Sequence, residues 1–291
     1  MTSEIEKSAD ETQRTHELQC MEIWRGNQHT EQHLSSAGMN AWVFSQPYQG
    51  SRQGGDIHYL SLCVGGIVTR IVLADVAGHG DSVAKTSKVL LSLLRKFMNT
   101  KKQDRLVAEL NRHFTEIEDK DGFATAIVAT YLSHKATLLL TNAGHPRPLF
   151  YKQSNARWDF LDSPTTDKGL GDNFPFGLQD STRYEHFVLK IEPGDWLLLY
   201  TDAYTESCDS AQQPLGELGL MRLVKRIPLS FNAASFGQEL NRLMSNHSGQ
   251  WLSDDDTTLI AIQFTGDRRI PSIAEKLIGY WKTIWPAATS L

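Results

Sequence analysis

Aspartates recur in this sequence where a chain could aim carboxylates at a common point. Asp56 closes Gly54-Gly55-Asp56, beside a glycine-rich stretch. Asp75 stands in LADVAGHG at the end of an apolar run, and Asp202 stands in LLLYTDA in the same kind of place. Asp254, Asp255 and Asp256 form a run directly before TTLIAIQF. Carboxylates gathered together repel one another, and the repulsion is relieved by bound protons or by a cation. All-oxygen donors, without cysteine or clustered histidine, suit hard ions such as Mg²⁺ or Mn²⁺. Two such ions sharing a carboxylate could acidify a water and clamp a phosphoryl group for in-line attack. Taken singly, each site also has an ordinary reading: a tight turn at Asp56, a cap or turn at Asp75, a loop start at Asp202, and a solvated edge for the Asp run.

The surrounding segments supply strand ends for these residues. AWVFSQ, IHYLSLCV and IVTRIVLADV read as strands, the last two joined by Gly65-Gly66, a hairpin signal. The period then shifts to about 3.6, with Val89, Leu90, Leu93, Leu94 and Phe97 on one face, then Leu106, Leu110, Phe114 and Ile117. Strands resume at FATAIVATYL and ATLLLTN. A looser stretch follows over 152–182, then YEHFVLKI and WLLLYT joined by EPGD, helical patterning at 217–227 and 232–246, and a last strand TTLIAIQF. Hairpin-rich sheets with helices in separate blocks point to an α+β fold. Residues 1–37 are polar and are expected to form an extension, its first ~15 residues disordered; residues 38–266 form the main domain. Residues 267–291, with Ile273, Leu277, Trp281 and Ile284, are expected to form an amphipathic helical tail.

Composition narrows the classes. The chain has 291 residues, 40% hydrophobic and 22% charged, with a formal net charge of −5 and no basic stripe, which argues against a nucleic-acid partner. Three scattered cysteines, Cys20, Cys63 and Cys208, argue against a disulfide framework or zinc site and suit a reducing compartment. The N-terminal residues lack a signal-peptide pattern, and no apolar run approaches a membrane span, so a cytoplasmic location is expected.

Together, GGD at 54–56, ADVAGHG at 74–80, NAGHP at 142–146, EPGDWLLLYTDAYTE at 192–206, LGELGL at 215–220 and DDTTLIAI at 255–262 resemble, in order, the SpoIIE-like branch of the PPM-type (type 2C) protein phosphatases. The resemblance runs from about residue 40 to 264. It implies two stacked antiparallel β-sheets flanked by helices, an αββα sandwich. It implies hydrolysis of phosphoserine or phosphothreonine on proteins by a metal-activated water, with two Mn²⁺ or Mg²⁺ ions and no phosphoenzyme. Asp75 would bridge both ions and Val76 would offer its backbone carbonyl. Asp56 would serve one ion, in part through water, and Asp202 and Asp255 the other; Asp256 matches a neighbouring polar position. The catalytic set is then Asp75 and Asp202, with His79 either a general acid for the leaving oxygen or a loop histidine. His145 stands where wider relatives carry a third metal-binding aspartate, so no third tight ion is expected; it could touch a metal-bound water or fix the NAGHP turn. Arg52 could hold phosphate or be an exposed turn arginine.

One position departs from the pattern. Ala203 replaces the family's usual glycine after Asp202. If that glycine is left-handed, alanine would cost ~1–2 kcal/mol there; a modestly rebuilt turn is expected instead. The resemblance further implies bacterial signalling, a phosphorylated protein substrate such as an anti-sigma-factor antagonist, and a regulatory partner protein. Two other classes compete: a phosphatase-fold scaffold that binds a partner without turnover, and another two-metal phosphoesterase or nuclease. The first predicts missing carboxylates, the second histidine-rich ligands or a basic surface, and neither feature is present.

Overall fold

A computed structural model describes residues 15–18, 22–48, 51–63, 66–78, 81–117, 122–161, 173–249 and 255–267. Thirteen strands among these residues form two sheets: β1 (His16–Glu17), β2 (Ile23–Gly26), β3 (Thr30–Ser36), β4 (Met39–Gln46), β5 (Asp56–Cys63), β6 (Val68–Val76), β7 (Ala124–Leu132), β8 (Thr137–Ala143), β9 (Leu149–Lys152), β10 (Arg157–Phe160), β11 (Phe187–Lys190), β12 (Trp196–Tyr200) and β13 (Thr257–Phe264). One sheet has seven strands in the order β1-β3-β4-β13-β12-β9-β10; the other has six, β11-β8-β7-β6-β5-β2. All pairings are antiparallel except β1 with β3.

Side-chain alternation explains the four layers. Along β12, Leu197 and Leu199 join Val43, Ile260 and Ile262 against Leu60, Leu73, Ile127 and Leu140 of the facing sheet. The intervening Trp196, Leu198 and Tyr200 face the other way, onto Leu220, Phe236, Leu240 and Met244. Those residues belong to α4 (Gly216–Val224) and α5 (Ala233–Ser248). On the far side, Ile57, Tyr59, Val72 and Val128 pack on Leu90, Leu94, Leu106, Leu110 and Phe114, carried by α1 (Asp81–Phe97) and α2 (Gln103–Thr115). Burial on both faces is why β12 and β13 read as nearly continuous apolar runs. The ends of α5 are set locally: the Asn232 side chain accepts from Ser235 N at 2.8 Å, and Gly249 ends the helix at φ 69°.

The expected αββα sandwich is present. Three local expectations change. Residues 16–36 contribute β1, β2 and β3, which pair into both sheets, so the boundary expected at residue 38 falls inside the paired strands. The stretch from 152 opens with the turn, Ala156 at φ 51°, and the second strand of the hairpin β9–β10. EPGD does not return the chain alongside its own strand: β11 pairs with β8 in one sheet and β12 with β13 and β9 in the other. The fully buried Asp195 makes that crossover, its Oδ2 accepting from Glu192 N and Lys152 Nζ at 2.8 Å and its Oδ1 from Gln153 N at 2.8 Å. The tail expected as a helix lies outside the described residues beyond Asp267, as do most of the first 15 residues.

Candidate metal centre

The site forms where the two sheets present their strand ends. Asp56 opens β5 and Asp75 lies near the end of β6, and the two are direct cross-strand partners. Such neighbours approach within about 5 Å at Cα, so two carboxylates share one small space. From the other sheet, Asp202 follows β12 and Asp255 precedes β13, brought side by side by the pairing of Tyr200 with Leu259.

Electrostatics show the crowding. The carboxyl of Asp75 is pushed up to about 7, first by burial, then by Asp202, Asp255, Asp256 and Glu206. That of Asp56 is raised well above the usual carboxylate range, chiefly by burial and then by Asp75, with the Thr258 and Thr201 hydroxyls opposing. Burial and Glu206 raise Asp202 as well. Acids held this way favour a bound proton or a cation.

The loop carrying Asp56 is held tightly. Asp256 is nearly buried, and its carboxylate accepts from Tyr48 N at 2.6 Å and Gly55 N at 2.5 Å. Asn27 exchanges backbone and side-chain hydrogen bonds with Gly54. A Cβ on Gly54 would overlap the Asp256 carboxylate, and one on Gly55 would come 2.7 Å from the Val76 carbonyl oxygen. The two glycines are therefore required by close approach, which is the physical content of the GGD motif.

Ala203 sits in an unstrained backbone. Asp202 has φ −58° and ψ −26°, and Ala203 opens the one-turn helix α3 (Ala203–Glu206). Nothing in this helical turn needs a glycine, so neither left-handed strain nor a displaced aspartate follows from the alanine.

Of the other candidates, His145 is buried at the turn after β8. Its Nδ1 lies 2.7 Å from Thr125 Oγ1, and Asn142 brackets its backbone N and O at 2.8 Å. Burial holds its imidazole down at about 3, so it stays neutral in the turn it fixes. Arg52 is exposed. His79 and Asp254 lie outside the described residues. Thr201 and Glu206 join the site although the residue pattern gave them no role, and Asp256, expected only at a neighbouring polar position, grips the Asp56 loop; the signal available was closeness in sequence to Asp202 and Asp255.

A cation fits these residues by donor chemistry and by one orphaned atom. The donors are carboxylate oxygens, the set hard divalent ions take. Asp56 Oδ1 is buried without a hydrogen-bond partner, an arrangement that is costly unless something is bound there. As placed, no three His, Cys, Asp or Glu side chains among the described residues stand close enough together to hold an ion.

Comparison with known proteins agrees with this architecture. Residues 66–265 match the family model of Stage II sporulation protein E, SpoIIE, and the chain belongs to that family. It is 26% identical over 160 residues to phosphoserine phosphatase RsbU of Bacillus subtilis, covering 53% of this chain and 44% of that protein. It is 24% identical over 274 residues to Protein IcfG of Synechocystis sp., covering 83% and 41%. The chain thus spans under half the length of these relatives. The solved PP2C phosphatase domain of SpoIIE from Bacillus subtilis, with a fragment of its regulatory domain, shares the fold at a TM-score of 0.63 and 16% identity, covering 84% of this chain and 71% of that one.

Proposed function

We propose that the chain is a phosphoprotein phosphatase that hydrolyses phosphoserine and phosphothreonine with two Mn²⁺ or Mg²⁺ ions. The observation that carries the reading is the Asp56–Asp75 pair: two carboxylates paired across adjacent strands, burdened by Asp202, Asp255 and Glu206, with one buried oxygen left without a partner. Asp75 would bridge the ions, with Asp56 and the Val76 carbonyl toward one and Asp202 and Asp255 toward the other. When bound, the ions would supply Lewis acidity toward the phosphoryl group and acidify an attacking water.

The protein's own part is to hold these donors in place. Asp256 fixes the loop before Asp56, and Thr201 contacts its carboxylate. His145 holds the turn beside β7. His79 is the candidate proton donor to the leaving serine oxygen. The substrate class is a phosphorylated protein in bacterial signalling, in keeping with the relative named a phosphoserine phosphatase; an anti-sigma-factor antagonist is the member of that class the resemblance offers. No helix among the described residues is long and apolar enough to cross a membrane, and a cytoplasmic location is part of this proposal. The non-catalytic scaffold is disfavoured because all four aspartates are kept and Ala203 is accommodated without strain.

Phosphate release from phosphoserine and phosphothreonine peptides, with Mn²⁺ and with excess EDTA, tests the reading. Turnover that needs the metal is expected. Full turnover in EDTA, or none with Mn²⁺, would overturn it.

A further inference from the structure

Asp56 comes from the six-stranded sheet, yet what aims its carboxylate comes from the other sheet. Thr201, fully buried at the end of β12, donates its hydroxyl hydrogen to Asp56 Oδ2 at 3.0 Å. The hydroxyl has a single hydrogen to give. Its oxygen accepts from Thr258 N at 2.9 Å, so the orientation of the hydroxyl is set by β13; the competing acceptor, Thr258 O, is 3.5 Å away. The backbone N of Thr201 also donates to Thr258 O at 3.1 Å, which locks the residue between β12 and β13. Beside it, the Thr258 hydroxyl, which like that of Thr201 favours the charged form of Asp56, pairs with Ser45 Oγ at 2.9 Å.

This arrangement distinguishes the two oxygens of Asp56. Oδ2 is taken up by Thr201, while Oδ1 is buried and unpartnered. A carboxylate fixed through one oxygen can rotate little, so the free oxygen keeps one direction. The residue that fixes it is the immediate neighbour of Asp202, which serves the other half of the site. Asp256, beside Asp255, grips the Asp56 loop from the same sheet. Each of the two carboxylates offered by the seven-stranded sheet therefore has an adjacent residue that holds the Asp56 segment.

We propose that Thr201 is a positioning residue for metal binding: its hydroxyl orients Asp56 and sets the Asp56 half of the site in register with the Asp202 half. The proposal rests on the metal-dependent reading above. Outer groups that orient metal ligands typically change metal affinity 10–100-fold when removed.

The test uses the full chain and Mn²⁺ alone, measured by calorimetric titration, with peptide kinetics at saturating Mn²⁺ alongside. Thr201→Val keeps the volume and removes the donor; Thr201→Ser keeps the donor. The valine variant is expected to bind Mn²⁺ about 10–100-fold more weakly, with kcat reduced and KM for peptide unchanged, and the serine variant to return within a few-fold of wild type. In an Asp56→Asn background the valine substitution should have no further effect on Mn²⁺ affinity. If Thr201→Val melts below the assay temperature, Thr201→Cys, with a weaker donor, takes its place and an intermediate loss is expected. Wild-type Mn²⁺ affinity in Thr201→Val, an equal loss in Thr201→Ser, or an undiminished loss in the Asp56→Asn background would overturn the proposal. Wild-type protein that binds no Mn²⁺ would overturn the metal-dependent reading itself, and this inference with it.

Discussion

Replacing Asp75 by asparagine should stabilise the metal-free protein at neutral pH while removing its activity. The carboxyl is raised to about 7 by burial and by the surrounding acids, against about 3.9 in an unfolded chain. Below pH 4 the group is protonated in both states and costs nothing. As pH rises from about 4 through about 7, the unfolded chain releases this proton while the folded chain retains it, so folded stability is lost across that window. Three pH units correspond to about 4 kcal/mol at pH 8, of which more than half is lost between pH 5 and 8. Asparagine has the same shape and no charge, so it escapes this cost.

Two buried histidines complicate the raw pH profile. His58 and His145 are lowered to about 4 and about 3 by burial, and they add stability as pH rises toward 6.5. Their effect cancels in the difference between variant and wild type, which is the quantity to measure. Urea or thermal melts in EDTA at pH 5 and pH 8 should show Asp75→Asn more stable than wild type, by an amount that grows with pH. At pH 8 the rise in melting temperature should be about 8–15 °C for a domain of this size. Saturating Mn²⁺ should reverse the order, because it stabilises the protein that binds it more tightly by the larger amount. Asp75→Asn less stable than wild type at pH 8 in EDTA would refute the reasoning that burial, and then the neighbouring acids, penalise the charged Asp75 carboxylate.

Ala203→Gly should lower stability by about 1 kcal/mol through helix propensity without tightening Mn²⁺ binding; a gain in Mn²⁺ affinity by titration would show that the alanine distorts Asp202. Asp256→Ala should cost about 2–4 kcal/mol in urea melts, since Tyr48 N and Gly55 N lose a charged acceptor, and should weaken Mn²⁺ binding; wild-type values in both would remove Asp256 from the account. Gly237→Ala places a methyl into the buried Trp42 ring and should cost about 1–3 kcal/mol with peptide KM unchanged, which thermal melts and steady-state kinetics check together.

The motifs made the site's main residues legible because a nearly continuous apolar run bounded by an acid marks the end of a buried strand. Asp75 and Asp202 could be placed at such ends from the residues alone, whereas Asp255 is singled out of the acidic run 254–256 only by the family resemblance. The direct pairing of Asp56 with Asp75 could not, because register across β5 and β6 is fixed by the hairpin at Gly66, φ 85°, and by both buried faces. β2 and β3 lie in a polar stretch because they are edge or near-edge strands with partly solvated side chains, so their alternation is weak. EPGD announces a turn, but turn residues do not say which sheet receives the next strand; buried Asp195 and the apolar faces of β12 decide that. Thr201 and Asp256 acquire their roles only through contacts across 145 and about 200 residues, beyond the reach of local pattern. Ala203, which looked like a defect against the family pattern, begins a helical turn.

The central claim is that strand-end aspartates from both sheets hold two divalent ions around a bridging Asp75. Calorimetric titration of Mn²⁺ into wild type, Asp202→Asn and Asp75→Asn, at pH 8 with peptide turnover measured on the same samples, addresses it directly. The account predicts two sites in wild type, loss of one in Asp202→Asn, and weakening of both with loss of turnover in Asp75→Asn. Two intact Mn²⁺ sites in Asp75→Asn would contradict it.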